Sequence, residues 1–155
     1  MKGMEDNSVD FLLTDIPYNA VSRESNGLRD LDKKHADTLN FDLPLFLFHA
    51  YRVTKGSLCI FCGNEQYSEI YDFFNRKSQK KQGTTRQIIW AKTNPSPMNG
   101  EYVYLNGTEN AVWFRKRGAT FNAHCKKNVL VHSSGRRKWS PTEKPESLFT
   151  ELVLG

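Results

Sequence analysis

The feature that most constrains the fold is an alternation of short apolar runs with helical patterns. Apolar runs typical of buried strands lie at 8–14, 57–62, 86–91, 110–114 and 129–132. Helical patterns separate the first three runs, and another pattern closes the chain at 145–154. Because the order strand, helix, strand favours crossover connections, this alternation predicts an α/β fold with a mostly parallel sheet.

The helical segments carry recognisable boundary signals. The first helix is predicted from Leu43 to Val53, with Asp42 as its N-cap and Lys55-Gly56 as its stop signal. The second should follow Gly63-Asn64, with Tyr67, Ile70, Tyr71 and Phe74 on its apolar side. The last should turn Leu148, Phe149, Leu152 and Val153 inward.

Length and composition predict one domain over residues 1–155. A chain of 155 residues with 38% hydrophobic residues can bury a core without metal or disulfide staples. Its longest uncharged apolar stretch, Leu43 to Ala50, is far below the roughly 20 residues that cross a bilayer. The three cysteines are an odd number at irregular spacing, which favours free thiols. We therefore expect a cytoplasmic protein that has no membrane partner.

The charge is unevenly distributed along the chain. Residues 1–75 carry 7 basic and 12 acidic side chains, whereas residues 76–155 carry 15 basic and 5 acidic ones. The basic residues of the second half form clusters, of which Arg115-Lys116-Arg117 and Arg136-Arg137-Lys138 are the longest. A positive field of this kind attracts a polyanion such as DNA, although any one cluster could equally be a solvated surface.

The most informative residues for chemistry are Asp15-Ile16-Pro17-Tyr18, at the end of the first predicted strand. Ligands of open α/β sheets bind beyond the carboxyl ends of the strands. The Asp15 carboxylate and a backbone carbonyl made rigid by Pro17 could accept the hydrogens of an exocyclic base amine. Tyr18 offers a ring on which an extruded base could stack. On these four residues alone, an ordinary turn after a buried strand explains the pattern at least as well.

Other segments strengthen the functional interpretation, because the chain resembles the N6-adenine and N4-cytosine DNA methyltransferases. The resemblance covers Asn7 to Asn19, Lys55 to Cys62, Ile89 to Pro95, Glu109 to Phe114 and Pro141 to Pro145, in the order that the permuted branch of the family has. It implies a Rossmann-like fold and S-adenosylmethionine as methyl donor. It also implies that the chain transfers a methyl group to a flipped base in double-stranded DNA, with adenine N6 favoured over cytosine N4 because the tetrad opens with Asp15.

The resemblance also implies roles for individual residues. Asp15, Ile16, Pro17 and Tyr18 would form the catalytic tetrad, and Asp15, Thr142, Lys144 and Pro145 would lie near the cofactor. Arg115, Lys116, Arg117, Arg136, Arg137 and Lys138 are the candidates for DNA contact. No metal is implied.

Two features depart from the family pattern. Ser140 stands where the family usually has His, and the sequence contains no Gly-x-Gly for a cofactor loop. We therefore expect a partial methyltransferase domain that is incomplete before the glycine-rich motif. The missing segment, or a second subunit, would then be a partner.

Several alternatives remain open from the sequence. The chain could be a nucleic-acid-binding remnant without catalysis, or a methyltransferase for RNA or a protein amide. A zinc site at Cys59 and Cys62 is disfavoured, because residues three apart on a strand point to opposite faces. His49 and His132 are expected to be packed or surface residues rather than general bases. Trp90 and Trp113 are expected in the core, whereas Trp139 could be either core or groove.

Overall fold

The computed structural model describes residues 1–17, 41–97, 100–134 and 144–155. In chain order its elements are β1 (Val9–Asp15), α1 (Leu43–Val53), β2 (Thr54–Cys62), α2 (Asn64–Gln79), β3 (Gly83–Lys92), β4 (Thr108–Lys116), β5 (Val129–His132) and α3 (Glu146–Leu154). This order confirms the predicted alternation of strands and helices. Within these ranges, no helix has the length and apolar character needed to span a membrane.

The five strands form one sheet in the order β1-β2-β4-β3-β5. β1 pairs with β2, and β3 with β5, in parallel, whereas β4 is antiparallel to both of its neighbours. Four strands therefore run in one direction and β4 opposes them, so the sheet is mostly parallel as predicted. The four parallel strands end along one side of the sheet, which we call the carboxyl edge, and β4 begins there.

Helices cover the sheet on both faces. On one, the α1/α2 face, Leu47 and Ala50 of α1 and Ile70 and Phe74 of α2 are buried in one core cluster. On the other, the α3 face, Leu148 of α3 is buried with the strand residues Cys59, Phe61, Trp90, Ala111 and Leu130. Successive strand residues alternate between the two faces, which gives an α/β/α arrangement with two apolar clusters.

The start of α1 follows the predicted capping chemistry, but its end does not. The Asp42 carboxylate accepts a hydrogen bond from the Leu45 amide at 2.9 Å. The chain passes from α1 straight into β2 at Thr54, so Lys55-Gly56 lies inside a strand and is not a helix stop. A Cβ atom on Gly56 would lie 2.3 Å from the Asp10 carbonyl oxygen. This glycine therefore permits the close approach of β1 to β2.

The orientation of α3 is predicted correctly except at one position. Leu148 is fully buried, and Phe149 and Leu152 pack against the cluster on the α3 face. Val153 is 60% exposed, so its predicted inward position is wrong. It lies about 140° around the helix from Leu148, and this nine-residue helix contacts the sheet along a narrower stripe than that.

Candidate active site at the carboxyl edge

Asp15 ends β1 at the carboxyl edge. It is in register with Phe61 of β2, and it shares its face with Phe11 and Leu13, which pack against the α3-face cluster. About 38% of the Asp15 side chain is exposed. The carboxylate is therefore accessible at the end of β1, as the sequence predicted. The strand itself is not buried on both faces as expected, because it lies at the edge of the described sheet and is only partly buried.

Ile16 and Pro17 act through their backbone. The Ile16 amide donates to the Phe61 carbonyl at 3.1 Å, and the Ile16 side chain is buried in the α1/α2-face cluster. Ile16 therefore offers no side-chain atom to a substrate, and its contribution is to extend the pairing of β1 with β2 by one residue. The carbonyl of Pro17 accepts a hydrogen bond from Gln66 Nε2 at 2.8 Å.

Gln66 is a site residue that the sequence analysis missed. It lies in the first turn of α2 and is 3% exposed. Its Oε1 accepts from the Gly63 amide at 3.2 Å, so one buried amide group fixes both the start of α2 and the chain after β1. A glutamine three residues after the N-cap is a capping-box signal that could have indicated the first contact. The contact with Pro17 depends on the tertiary fold.

Lys144 reaches the same place from the other end of the chain. Its side chain is only 4% exposed, and its Nζ forms an ion pair with Asp15 Oδ2. The same Nζ lies 3.0 Å from Glu109 Oε2 and 5.0 Å from the centroid of the Phe61 ring. The structure thus brings together two of the residues that the sequence predicted for the site, Asp15 and Lys144.

Glu109 and Lys92 extend this contact into a cluster of alternating charge. Glu109 Oε1 lies 2.7 Å from Lys92 Nζ, and both side chains are mostly buried. Burial by itself would raise the pKa of Glu109, but hydrogen bonds and charges from Lys92 and Lys144 hold that pKa below its ordinary value. We call Asp15, Lys144, Glu109 and Lys92 the carboxyl-edge cluster. Glu109 and Lys92 carry no pattern that marks them as site residues in the sequence.

The remaining predicted cofactor and base contacts fall partly outside the described residues. Tyr18 and Thr142 lie there, as do Arg136, Arg137 and Lys138. Pro145 is described, and its carbonyl accepts from the Leu148 amide at 3.1 Å as the N-cap of α3. Pro145 therefore fixes the point at which Lys144 enters the cluster.

The structure does not bring Arg115, Lys116 and Arg117 to Asp15. Arg115 pairs with Ser57, and Asp15 pairs with Phe61, four residues further along β2. At a rise of about 3.3 Å per residue, Arg115 therefore lies roughly 13 Å back from the carboxyl edge.

These basic residues also point in different directions. The Arg115 guanidinium lies 5.8 Å from the Phe121 ring centroid, on the α3 face. Lys116 Nζ lies 4.4 Å from the Tyr51 ring centroid on the opposite face, where burial lowers the pKa of Lys116. Their role in DNA contact stays a prediction.

The rival sites considered from the sequence are structural in character. Cys59 and Cys62 belong to the clusters on opposite faces of the sheet, and burial raises the pKa of both thiols to about 12. Within the described ranges, no three His, Cys, Asp or Glu side chains are grouped as metal ligands would be.

His132, Trp90 and Trp113 pack as predicted, whereas Trp139 lies outside the described residues. His132 links β5 to α3 through Ser147 Oγ at 3.0 Å and Glu151 Oε2 at 2.8 Å. Trp90 is buried, and Trp113 packs against the α3-face cluster while contacting Phe121.

Comparisons with known proteins agree with this architecture. A sequence model of the N6/N4 methyltransferases, described as DNA methylase, matches residues 9–154. The chain is 24% identical to the type II methyltransferase M.HinfI of Haemophilus influenzae over 99% of its own length and 52% of that protein. It is 26% identical to the type II methyltransferase M.HpaI of Haemophilus parainfluenzae over 99% of its own length and 55% of that protein. The chain therefore spans about half the length of these curated relatives.

A solved structure shares the fold. The crystal structure of an M1.HpyAVI complex with S-adenosylmethionine superimposes with a TM-score of 0.63 at 26% identity. The superposition covers 98% of this chain and 67% of the other. The described elements thus have the arrangement of a Rossmann-like methyltransferase sheet.

Proposed function

We propose, because this chain belongs to the N6/N4 family of DNA methylases, that it contributes the base-amine site of a DNA methyltransferase. The reaction transfers a methyl group from S-adenosylmethionine to the exocyclic amine of a base flipped out of double-stranded DNA. Adenine N6 is the proposed target and cytosine N4 the alternative. The observation that carries the proposal is the exposed Asp15 carboxylate at the carboxyl edge, held by a buried lysine.

The role of Asp15 follows from the chemistry of the amine. The nitrogen lone pair of a base amine is delocalised into the ring, so the free amine is a poor nucleophile. A carboxylate that accepts one N–H hydrogen bond holds the hydrogens out of the ring plane and returns electron density to nitrogen. Lys144 contacts the Asp15 carboxylate at Oδ2, and we propose that Oδ1 accepts the hydrogen of the amine.

The backbone after β1 is the proposed source of a second hydrogen-bond acceptor for the base amine. Pro17 limits the backbone freedom of this segment, and Gln66 fixes the Pro17 carbonyl from the α2 side. The Ile16 carbonyl precedes this restrained bond and is the proposed second acceptor. Tyr18, next in the chain, is the proposed stacking surface for the flipped base, at on the order of 1–3 kcal/mol.

The residues at the carboxyl edge fit a cofactor with an electrophilic methyl group. S-adenosylmethionine, when bound, supplies a methyl group on a sulfonium together with the ammonium and carboxylate of its methionine part. The accessible Asp15 carboxylate suits a cationic neighbour, and Thr142 and Pro145 are the further proposed contacts. Because Lys144 Nζ is buried between two carboxylates, we propose that it acts on the cofactor through Asp15 rather than by direct contact.

Methyl incorporation with radiolabelled S-adenosylmethionine tests the proposal on duplex DNA, RNA and protein substrates in parallel. We expect label in duplex DNA and, after digestion, N6-methyladenine by mass spectrometry. Asp15→Ala should abolish incorporation, whereas Asp10→Ala, on the same strand and in an exposed ion pair with Lys55, should not.

Other outcomes identify the alternatives. N4-methylcytosine would change the assigned base, and label in RNA or protein alone would replace the DNA substrate. Duplex binding that falls with salt, without cofactor binding by calorimetry and without incorporation, would support the nucleic-acid-binding remnant. Arg115→Ala and Arg117→Ala test the predicted DNA contact in the same binding assay, with a reduced salt dependence as the expected result.

A further inference from the structure

We propose that Glu109 is a positioning residue for Asp15, acting through Lys144. The inference rests on the proposed function and adds to it a residue to which neither the sequence analysis nor the comparisons give a role. Glu109 lies on β4 and Asp15 on β1, with the whole of β2 between them. Lys144 bridges this gap, since its Nζ contacts a carboxylate oxygen of each residue.

The geometry of the bridge is fixed by the sheet. Asp15 is opposite Phe61, Phe61 is opposite Ala111, and Glu109 is two residues from Ala111 on the same face. The Lys144 ammonium lies over the Phe61 ring, 5.0 Å from its centroid, between the two carboxylates. A cation over an aromatic ring is itself stabilised, but the ring does not determine the direction of the ammonium. The two carboxylates on either side do.

Charge balance explains why Lys144 requires a second carboxylate. The carboxyl-edge cluster holds two cations and two anions at distances that place each cation against Glu109. With Glu109 ionised, the Lys144 ammonium interacts with both carboxylates. Its charge therefore weakens the hydrogen-bond acceptor strength of Asp15 less than it would in a pair with Asp15 alone. If Glu109 were neutral, Lys144 would interact more strongly with Asp15, and these four side chains would carry one excess positive charge beside the reacting amine. In a mostly buried setting such a charge is poorly screened.

Lys92 keeps Glu109 ionised and in place. Lys92 Nζ lies 2.7 Å from Glu109 Oε1, whereas Lys144 contacts Glu109 Oε2. Lys92 is on β3 and Glu109 on β4, so both residues of this ion pair belong to the sheet. The lowered pKa of Glu109 agrees with this arrangement. Glu109 is therefore held on one side by β3 and presents its other oxygen to Lys144.

The experiment compares Glu109→Gln, which removes the charge at nearly constant size, with Glu109→Asp, which keeps it. With the active enzyme, we expect Glu109→Gln to lower kcat by about tenfold or more while KM for DNA changes less than about twofold. Glu109→Asp should recover part of kcat. Glu69→Gln, an exposed glutamate on α2, is the matched control and should behave as wild type. Lys92→Met provides a second variant, with a smaller fall in kcat, should Glu109→Gln fail to fold.

A second measurement does not depend on activity. The motion of the Lys144 ammonium, followed by nitrogen-15 NMR relaxation, should increase in Glu109→Gln and remain as in wild type in Glu69→Gln. Absence of both cofactor binding and methyl transfer in wild type would defeat the proposed function, yet the NMR measurement would still test whether Glu109 restrains Lys144. The inference is overturned if Lys144 is equally restrained in Glu109→Gln, or if kcat in that variant equals that of wild type.

Discussion

At the scale of the residue, the site depends on buried polar side chains that form hydrogen bonds or ion pairs. Gln66 shows this most clearly, because its single side-chain amide both donates to Pro17 and accepts from Gly63. Removing one partner of a buried hydrogen bond leaves the other unsatisfied, at a cost of about 1–3 kcal/mol. Gln66 therefore contributes to stability and to the shape of the segment that follows Asp15.

We predict that Gln66→Leu destabilises the protein by about 1–3 kcal/mol, because the Pro17 carbonyl and the Gly63 amide both lose a partner. Urea unfolding monitored by circular dichroism measures the change. Gln79→Leu, at the exposed end of α2, is the matched control and should alter stability by less than about 0.5 kcal/mol. Equal unfolding midpoints for Gln66→Leu and wild type would contradict the prediction.

Glu109 gives a prediction on pH. Its pKa in the folded chain is lower than the ordinary value of 4.5, so its contribution to stability is fully present above that value and is lost as the pH falls through the folded pKa. We predict that wild type loses more stability between pH 7 and pH 3 than Glu109→Gln does. Urea midpoints across this range give the comparison, and parallel curves for the two proteins would refute it.

At the scale of the element, the close packing of β1 against β2 determines which residue can occupy position 56. The step from α1 directly into β2 leaves Gly56 beside the backbone of β1. The glycine is thus explained by contact between two strands whose pairing the sequence does not specify. A Lys-Gly pair after a helical pattern is typical of a helix end, so the sequence alone predicts a stop signal where the structure has a strand.

We predict that Gly56→Ala destabilises the sheet by about 1–3 kcal/mol, because the added methyl group would lie 2.3 Å from the Asp10 carbonyl oxygen and force the strands apart. Gly3→Ala is the matched control, since its added methyl group would meet no atom within 4 Å. Thermal unfolding of both variants tests this. A melting temperature of Gly56→Ala equal to that of Gly3→Ala would disprove the steric argument.

At the scale of the whole molecule, the two apolar clusters divide the cysteines. Cys59 and Cys62 are buried on opposite faces of the sheet, and burial raises the pKa of each thiol to about 12, while Cys125 is exposed. Reaction with a thiol reagent requires the thiolate and access to it. Two of the three thiols therefore become reactive only when the core opens.

We predict that the native protein at pH 8 reacts rapidly with one equivalent of a disulfide reagent such as dithionitrobenzoate, and with three in denaturant. Cys125→Ser should remove the rapid phase, and Cys59→Ala should leave it intact. Three rapid equivalents under native conditions would show that the clusters are not closed on both faces.

The sequence determined the class of fold and the position of Asp15. Apolar runs, helix periodicity and caps are local, so Leu43–Val53 and the strand ending at Asp15 were predictable without tertiary information. The position of Asp15 at the carboxyl edge followed from the rule that parallel strands end on one side. The inward position of Val153 was wrong because the period of a short helix does not give the width of its contact.

Only the tertiary structure decided what surrounds Asp15. The antiparallel strand β4 lies next to β2, which places Glu109 one strand away from Phe61. Lys144, which is 129 residues after Asp15 in the chain, returns to contact Asp15 and Glu109. Neither contact leaves a local pattern, because charge pairing depends on distance in space and not on spacing along the chain. The same register separates Arg115 from Asp15 by roughly 13 Å, a distance that the clustering of basic residues in the sequence does not indicate.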